Sequence, residues 1–340
     1  MKIGDIQLAE MSRYRGELMG AAIVFIILFH VPLARSDAFF GLRRCGNIGV
    51  DMFLFLSGIG LWYSWVKNPS VRHFYKRRLL RIFPTWLVIS SIYYLQRFNF
   101  ETGDYLDLFL DITINWGFWL NDELTFWYVP AIMMLYLWAP LYMKLIQHHP
   151  VYRWLPVLMV CWCVIVQWVV PIHQAVGHIE IFWSRVPIFF LGINCGELVR
   201  QDRRIEPAGR WLVWIVFLMM AAACIWLEQE RHGRFPLFAE RMLYIPLTVT
   251  LILLLCDLFR AVPGWCHRGL IFLGGLSLEI YLIHNHFVMH YLMPYHLGYW
   301  PTALLTTLLT LPLAWLLQQI LKRLIPACRK ESMLSTSTGR

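Results

Sequence analysis

Apolar side chains run through this chain in long blocks, separated by short polar and basic stretches. About 20 apolar residues cross a bilayer as a helix. Ten blocks approach that length, at 18–34, 47–66, 79–95, 126–146, 151–172, 181–199, 210–228, 241–259, 269–290 and 299–321. Segment 101–123 breaks the pattern. Its run DYLDLFLDITINWGFWLNDE is acidic and only partly apolar, and reads as an extramembrane loop with an interfacial helix. The pattern predicts an all-α integral membrane protein of about ten transmembrane helices, forming a single domain over 1–328. The polar tail RKESMLSTSTGR, 329–340, is expected to be disordered. The start, MKIGDIQLAEMSRYRGE, is polar and leads into the first block without a small-residue cleavage site, so that block reads as a span rather than a signal peptide.

Composition agrees with this reading. The 340 residues are 59% hydrophobic and only 15% charged, whereas a soluble domain carries roughly 25% charge. Of the 30 Lys and Arg, 22 fall on one set of alternate segments, 7 on the other, and Arg185 lies within a span. The positive-inside rule places the richer set, with both chain ends, in the cytoplasm (N-in, C-in). The net charge of +9 is then a matter of cytoplasmic loops facing anionic lipid, and no nucleic acid is implied. The eight Cys fall mostly in or near spans without CxxC or Cys/His pairing, so packing is expected, with no metal site and no disulfide framework.

Ionisable groups inside spans are costly and usually face a cavity or a partner. Here they are His30, Asp51, Arg185, Glu279, His284 and His286. At ~1.5 Å per residue, His30 lies roughly 18 Å from the inner end of its span. Asp51 and Arg185 fall near the outer ends of theirs, Glu279 near mid-depth and His284 higher. A lone His on an apolar helix such as GAAIVFIILFHV is usually structural, but this agreement in depth points to a common polar chamber. On the ninth span Ser277, Tyr281 and His284 form one helical stripe, with Glu279 and His286 on nearly the opposite face. The first stripe is expected to line the chamber, with Glu279 bridging or structural. Arg78 and Arg81 lie i, i+3 in FYKRRLLRIFP, where guanidinium forks suit a phosphate and also suit a plain positive-inside anchor.

The ordered pieces His30, GVDMFLFLSG (49–58), FYKRRLLRIFP (74–84), FWYVPAIMMLYLWAPL (126–141), VPIFFLGINCG (186–196) and LSLEIYLIH (276–284) resemble the membrane acyltransferase-3 family, over about residues 18–290. These are multi-pass bacterial O-acyltransferases that decorate cell-surface glycans. The resemblance implies that His30 is the catalytic histidine and that Arg78 and Arg81 are the RxxR pair associated with the acyl-CoA donor. It also maps Asp51, Glu279, Tyr281 and His284 onto family motifs, and places the chain in the bacterial inner membrane. One position departs. The family places Arg eleven residues before the His, where this chain has Met19, with Arg15 one turn below. The Arg function is then supplied by Arg15, replaced by Arg185, or lost.

The expected chemistry is transfer of an acyl group, acetyl by family habit, from acyl-CoA to a hydroxyl of a surface glycan or its lipid-linked precursor. His30 serves as general base, and Arg185 or Tyr281 as oxyanion donor. Ser57 and Ser277 leave an acyl-enzyme open. No metal and no permanently bound cofactor is expected; the partners are acyl-CoA, the sugar acceptor and membrane lipids. Two other classes fit the same buried charges: a transporter with a His/Asp/Glu proton relay, and a degenerate family member that binds without turnover.

Overall fold

Leucine-rich, proline-punctuated sequence of this kind satisfies its backbone internally only as helix, and the computed structural model, which describes residues 5–325, is almost entirely helical. The principal helices are α1 (Arg15–His30), α2 (Ile48–Lys67), α3 (Val71–Arg97), α4 (Tyr128–His148), α5 (Leu155–Trp168), α6 (Val186–Arg200), α7 (Pro207–Arg231), α8 (Leu237–Phe259), α9 (Gly264–Gly275), α10 (Ser277–Ile283) and α11 (Tyr299–Leu324). A single two-stranded pairing among the described residues joins β1 (Ile6–Gln7) to β2 (Arg204–Ile205), tying the start of the chain to the α6–α7 connection. Cys328 and the tail 329–340 lie outside the described residues; the seven described cysteines are free thiols.

Six described helices are long and apolar enough to cross a membrane, or eight if two bent pairs each count as one span. The bent pairs are Val170–Trp183 with Val186–Arg200, at 42°, and Gly264–Gly275 with Ser277–Tyr295, at 63°. The other two of the ten expected segments are helical but fall short of that standard. α1 has 16 residues, about 24 Å at 1.5 Å per residue, less than a ~30 Å hydrocarbon core. α3 has 27 residues, but Arg81, Pro84, Thr85 and Ser90 dilute its apolar stretch. Segment 101–123 forms two short helices, Tyr105–Ile114 and Trp116–Asn121, neither long enough to span.

α2 is the hub, buried along nearly its whole length. Without a hydrophobic drive between helices in lipid, small residues that allow close approach decide which faces meet. A Cβ on Gly58 would sit 2.4 Å from the Phe189 carbonyl, and one on Gly192 2.3 Å from that of Phe55, so α2 and α6 touch backbone to backbone. α1 and α9 meet the same way at Gly20 and Gly274. Position 49 of α2 faces Ala22 of α1. One face of α2 (49, 53, 57) therefore serves α1, while the other (51, 55, 58) serves α6.

Candidate functional site

His30 is the last residue of α1, and the chain turns extended at Val31. His284 follows α10 directly and opens a π-helical turn, His284–Met289. The two rings meet edge-on with centroids 4.8 Å apart. His30 Nδ1 lies 2.8 Å from the Ile26 carbonyl, and His284 Nδ1 lies 2.9 and 3.0 Å from those of Ile280 and Tyr281. A carbonyl oxygen only accepts, so in each neutral ring Nδ1 carries the hydrogen. His284 Nε2 is then a lone pair, 3.2 Å from His30 Nδ1 and able to share its N–H. His30 Nε2 also keeps its lone pair, and it has no hydrogen-bond partner among the described residues. An imidazole held by its far nitrogen, with its near nitrogen unspent, is the arrangement a general base needs.

Below the histidines lies a cavity with about 610 Å³ of empty space. Ile26 and Tyr281 border it on the histidine side, Ser57 on α2, Tyr128 and Tyr136 on α4, and Arg15 and Arg81 on the opposite side. Met19, which stands where an Arg was expected, lines the same cavity. The Arg15 guanidinium packs against Gly60, where a Cβ would lie 3.2 Å from Nη2, and its buried Nε has no hydrogen-bond partner. Tyr281 OH accepts the Tyr128 backbone N–H at 3.3 Å, which leaves its own hydrogen free to donate. Ser57 and Ser277 also border the cavity, and neither hydroxyl bonds to a histidine.

A second cavity, with about 840 Å³ of empty space that is partly open to solvent, adjoins the first. Arg77, Arg78, Arg81 and Lys322 line it with Glu279 and Gln318. Arg81, Ser277 and Leu278 border both cavities. Glu279 faces Thr85, 3.5 Å away, and belongs to this basic cavity rather than to the histidine pair.

Asp51 and Arg185 form a buried ion pair. Asp51 occupies the α6 face of α2, with Phe55 and Gly58, and Arg185 lies at the start of α6, while Phe53 and Ser57 on the other side of α2 border the cavity. Arg185 also lies over the Tyr244 ring at 5.8 Å, beside the Arg241–Glu180 pair. The structure thus pairs His30 with His284, places Tyr281, Arg15 and Arg81 around one cavity that neither histidine lines, and places Arg78, Arg81 and Glu279 around the next. It joins Asp51 to Arg185 on the far side of α2. Tyr128, Tyr136 and Lys322 were not singled out from sequence. The two tyrosines sit in FWYVPAIMMLYLWAPL at i, i+8, a spacing that could have flagged them, whereas Lys322 sits in an ordinary basic helix end that carries no signal.

Comparison with curated proteins and with solved structures finds no match. A family model of the acyltransferase-3 type, described as an acyltransferase domain, matches residues 20–319. That range contains His30, the Arg78/Arg81 pair and the 276–284 segment, and begins just after Arg15 and Met19. It selects the acyltransferase class over the transporter class, and the chain belongs to the membrane acyltransferase-3 family.

Proposed function

We propose that this protein is a membrane O-acyltransferase of the bacterial inner membrane, moving an acetyl group from acetyl-CoA to a hydroxyl of a surface glycan or its lipid-linked precursor. The observation that carries the reading is the series of two adjoining cavities running from a four-cation mouth toward a histidine with an unspent Nε2. The CoA phosphates are held by Arg77, Arg78, Arg81 and Lys322. The pantetheine arm passes Arg81 and Arg15 and spans the ~22 Å of α1 between Arg15 and His30. His30 Nε2 takes the acceptor's hydroxyl proton as the oxygen attacks the thioester carbonyl carbon. Tyr281 O–H donates to the oxyanion that forms. Collapse breaks the C–S bond, and the imidazolium returns its proton to the departing thiolate. His284 Nε2 and the Ile26 carbonyl accept from the imidazolium's Nδ1–H throughout, which stabilises the charged ring. Transfer is direct, because neither serine in the cavity has a base. Asp51 and Arg185 brace α2 against α6 and take no part in the chemistry.

His30→Gln tests this. The amide keeps volume and hydrogen bonding but is not a base. Transfer is expected to fall by about 10²–10⁴-fold, with acetyl-CoA binding and detergent melting temperature unchanged. A stable His30→Gln protein that retains most of its transferase activity ends the reading.

A further inference from the structure

His30 sits where α1 ends and where the last helical carbonyls lose their intrahelical partners. Arg43, from the short helix Phe40–Arg44 before α2, supplies the missing donor. Its Nη1 donates to the Phe29 carbonyl at 2.7 Å and to the Val31 carbonyl at 3.2 Å. These two residues flank His30. The same guanidinium lies over the rings of Phe29 and Phe40, at 5.9 and 5.1 Å, and Phe29 meets the His30 ring edge-on at 5.0 Å. The hydrogen bonds of the neighbouring arginines go elsewhere, from Arg44 to the Glu228 carboxylate at 3.3 Å and from Arg35 to the Glu228 carbonyl at 2.8 Å, although the Arg44 guanidinium also lies over the Phe29 ring at 4.9 Å. They brace the loop to α7, while Arg43 turns back to α1.

We infer that Arg43 is a positioning residue for His30, fixing the peptide planes on both sides of it so that Nε2 keeps its aim. The inference rests on His30 being the base. With Ile26 holding Nδ1 and Phe29 packing the ring, Arg43 completes the constraint at a helix end that otherwise frays. A base must stay within hydrogen-bond reach of the proton it takes, and a misplacement near 1 Å can cost about a hundredfold. In the N-in orientation Arg43 also lies on the outer side, against the positive-inside bias, so a plain topological role does not account for it.

The test measures transfer from radiolabelled acetyl-CoA to the glycan fraction of membrane vesicles carrying the full chain. It records kcat per folded molecule, donor KM and melting temperature. Arg43→Met is expected to lower kcat roughly ten- to a hundredfold with donor KM unchanged, and Arg43→Lys, which keeps a donor, to recover part of it. Fewer folded molecules with wild-type kcat overturn the proposal, as does a raised donor KM with kcat intact. If Arg43→Met does not fold, Arg43→Lys decides: a lowered kcat at constant KM supports positioning, and a wild-type kcat rejects it. His30→Gln in the same assay separates the two layers. If it stays active, the base reading and Arg43 fall together; if it is dead beside a fully active Arg43→Met, only the positioning falls.

Discussion

Arg15 is a guanidinium pressed against a glycine, aimed into a cavity, with a buried Nε that nothing bonds. A buried guanidinium nitrogen without a partner is costly unless a ligand completes it, and in the proposed function a phosphate or carbonyl oxygen of the donor would do so. Arg15→Ala is expected to raise donor KM by about ten- to a hundredfold, the worth of roughly 1.5–3 kcal/mol for a hydrogen bond to a charged group. Adding Met19→Arg to that variant is expected to restore part of the loss, because position 19 opens on the same cavity. Donor kinetics on the single and double variants decide it. A silent Arg15→Ala rules the residue out. That an arginine was wanted near here was legible from the Met19 departure. That Arg15 borders the same cavity as Met19 was not, because its side chain has to reach up the helix against the lean of helical side chains; the glycine opposite makes the room.

At the scale of the helix, position along each span could be counted from the sequence and azimuth could not. Counting residues along spans placed His30, Asp51, Arg185 and His284 at similar heights, but height alone cannot separate two sides of one helix. Positions 51 and 53 of α2 point about 200° apart, so Asp51 goes to Arg185 while Phe53 borders the cavity. The π-helical turn at His284–Met289 and the bend at Leu276 are likewise invisible to a 3.6-residue count. The buried pair predicts a stability effect. Asp51→Asn leaves Arg185 without its counter-charge and is expected to cost about 3–5 kcal/mol, read as a lower melting temperature with near-normal transfer per folded molecule. Loss of transfer in a fully stable Asp51→Asn protein would instead return the pair to the chemistry.

The segment 105–123 makes a separate prediction at this scale. Burial raises the Asp111 carboxyl above its ordinary range, even though it accepts the Gly117 N–H at 2.8 Å. Burial and the nearby Asp111 likewise raise Glu123. A carboxyl with a raised folded-state value favours the folded segment fully below its unfolded value, and that contribution is lost as pH rises through the folded value. Hydrogen-exchange protection of 105–123, corrected for intrinsic rates, is therefore expected to fall as pH rises from below 4 toward neutrality. Protection that climbs over that window contradicts it.

Over the whole molecule, the cavities impose a sidedness on the reaction. Arg15 begins α1, Arg77, Arg78 and Arg81 lie in the early turns of α3, and Lys322 closes α11. The basic mouth is therefore built from the ends of helices on one side, the side that also carries the first strand and its β2 partner. In the proposed orientation, which the excess of Lys and Arg on the segments of that side supports, it is the cytoplasmic one, where acetyl-CoA would be supplied, while His30 and the loop to α2 lie toward the other face. In the proposed reaction, donor and acceptor then approach from opposite sides and meet at the imidazole, so the acyl group alone would cross the membrane. Inverted vesicles given external acetyl-CoA are accordingly expected to acetylate glycan, and sealed right-side-out vesicles are not until they are permeabilised. In the inverted vesicles, Arg81→Ala, which removes a cation bordering both cavities, is expected to raise the acetyl-CoA requirement by about tenfold or more with kcat unchanged, the mark of lost uniform binding. Equal use of external acetyl-CoA by both sealed preparations would refute the orientation, and an unchanged donor requirement in Arg81→Ala would refute the mouth.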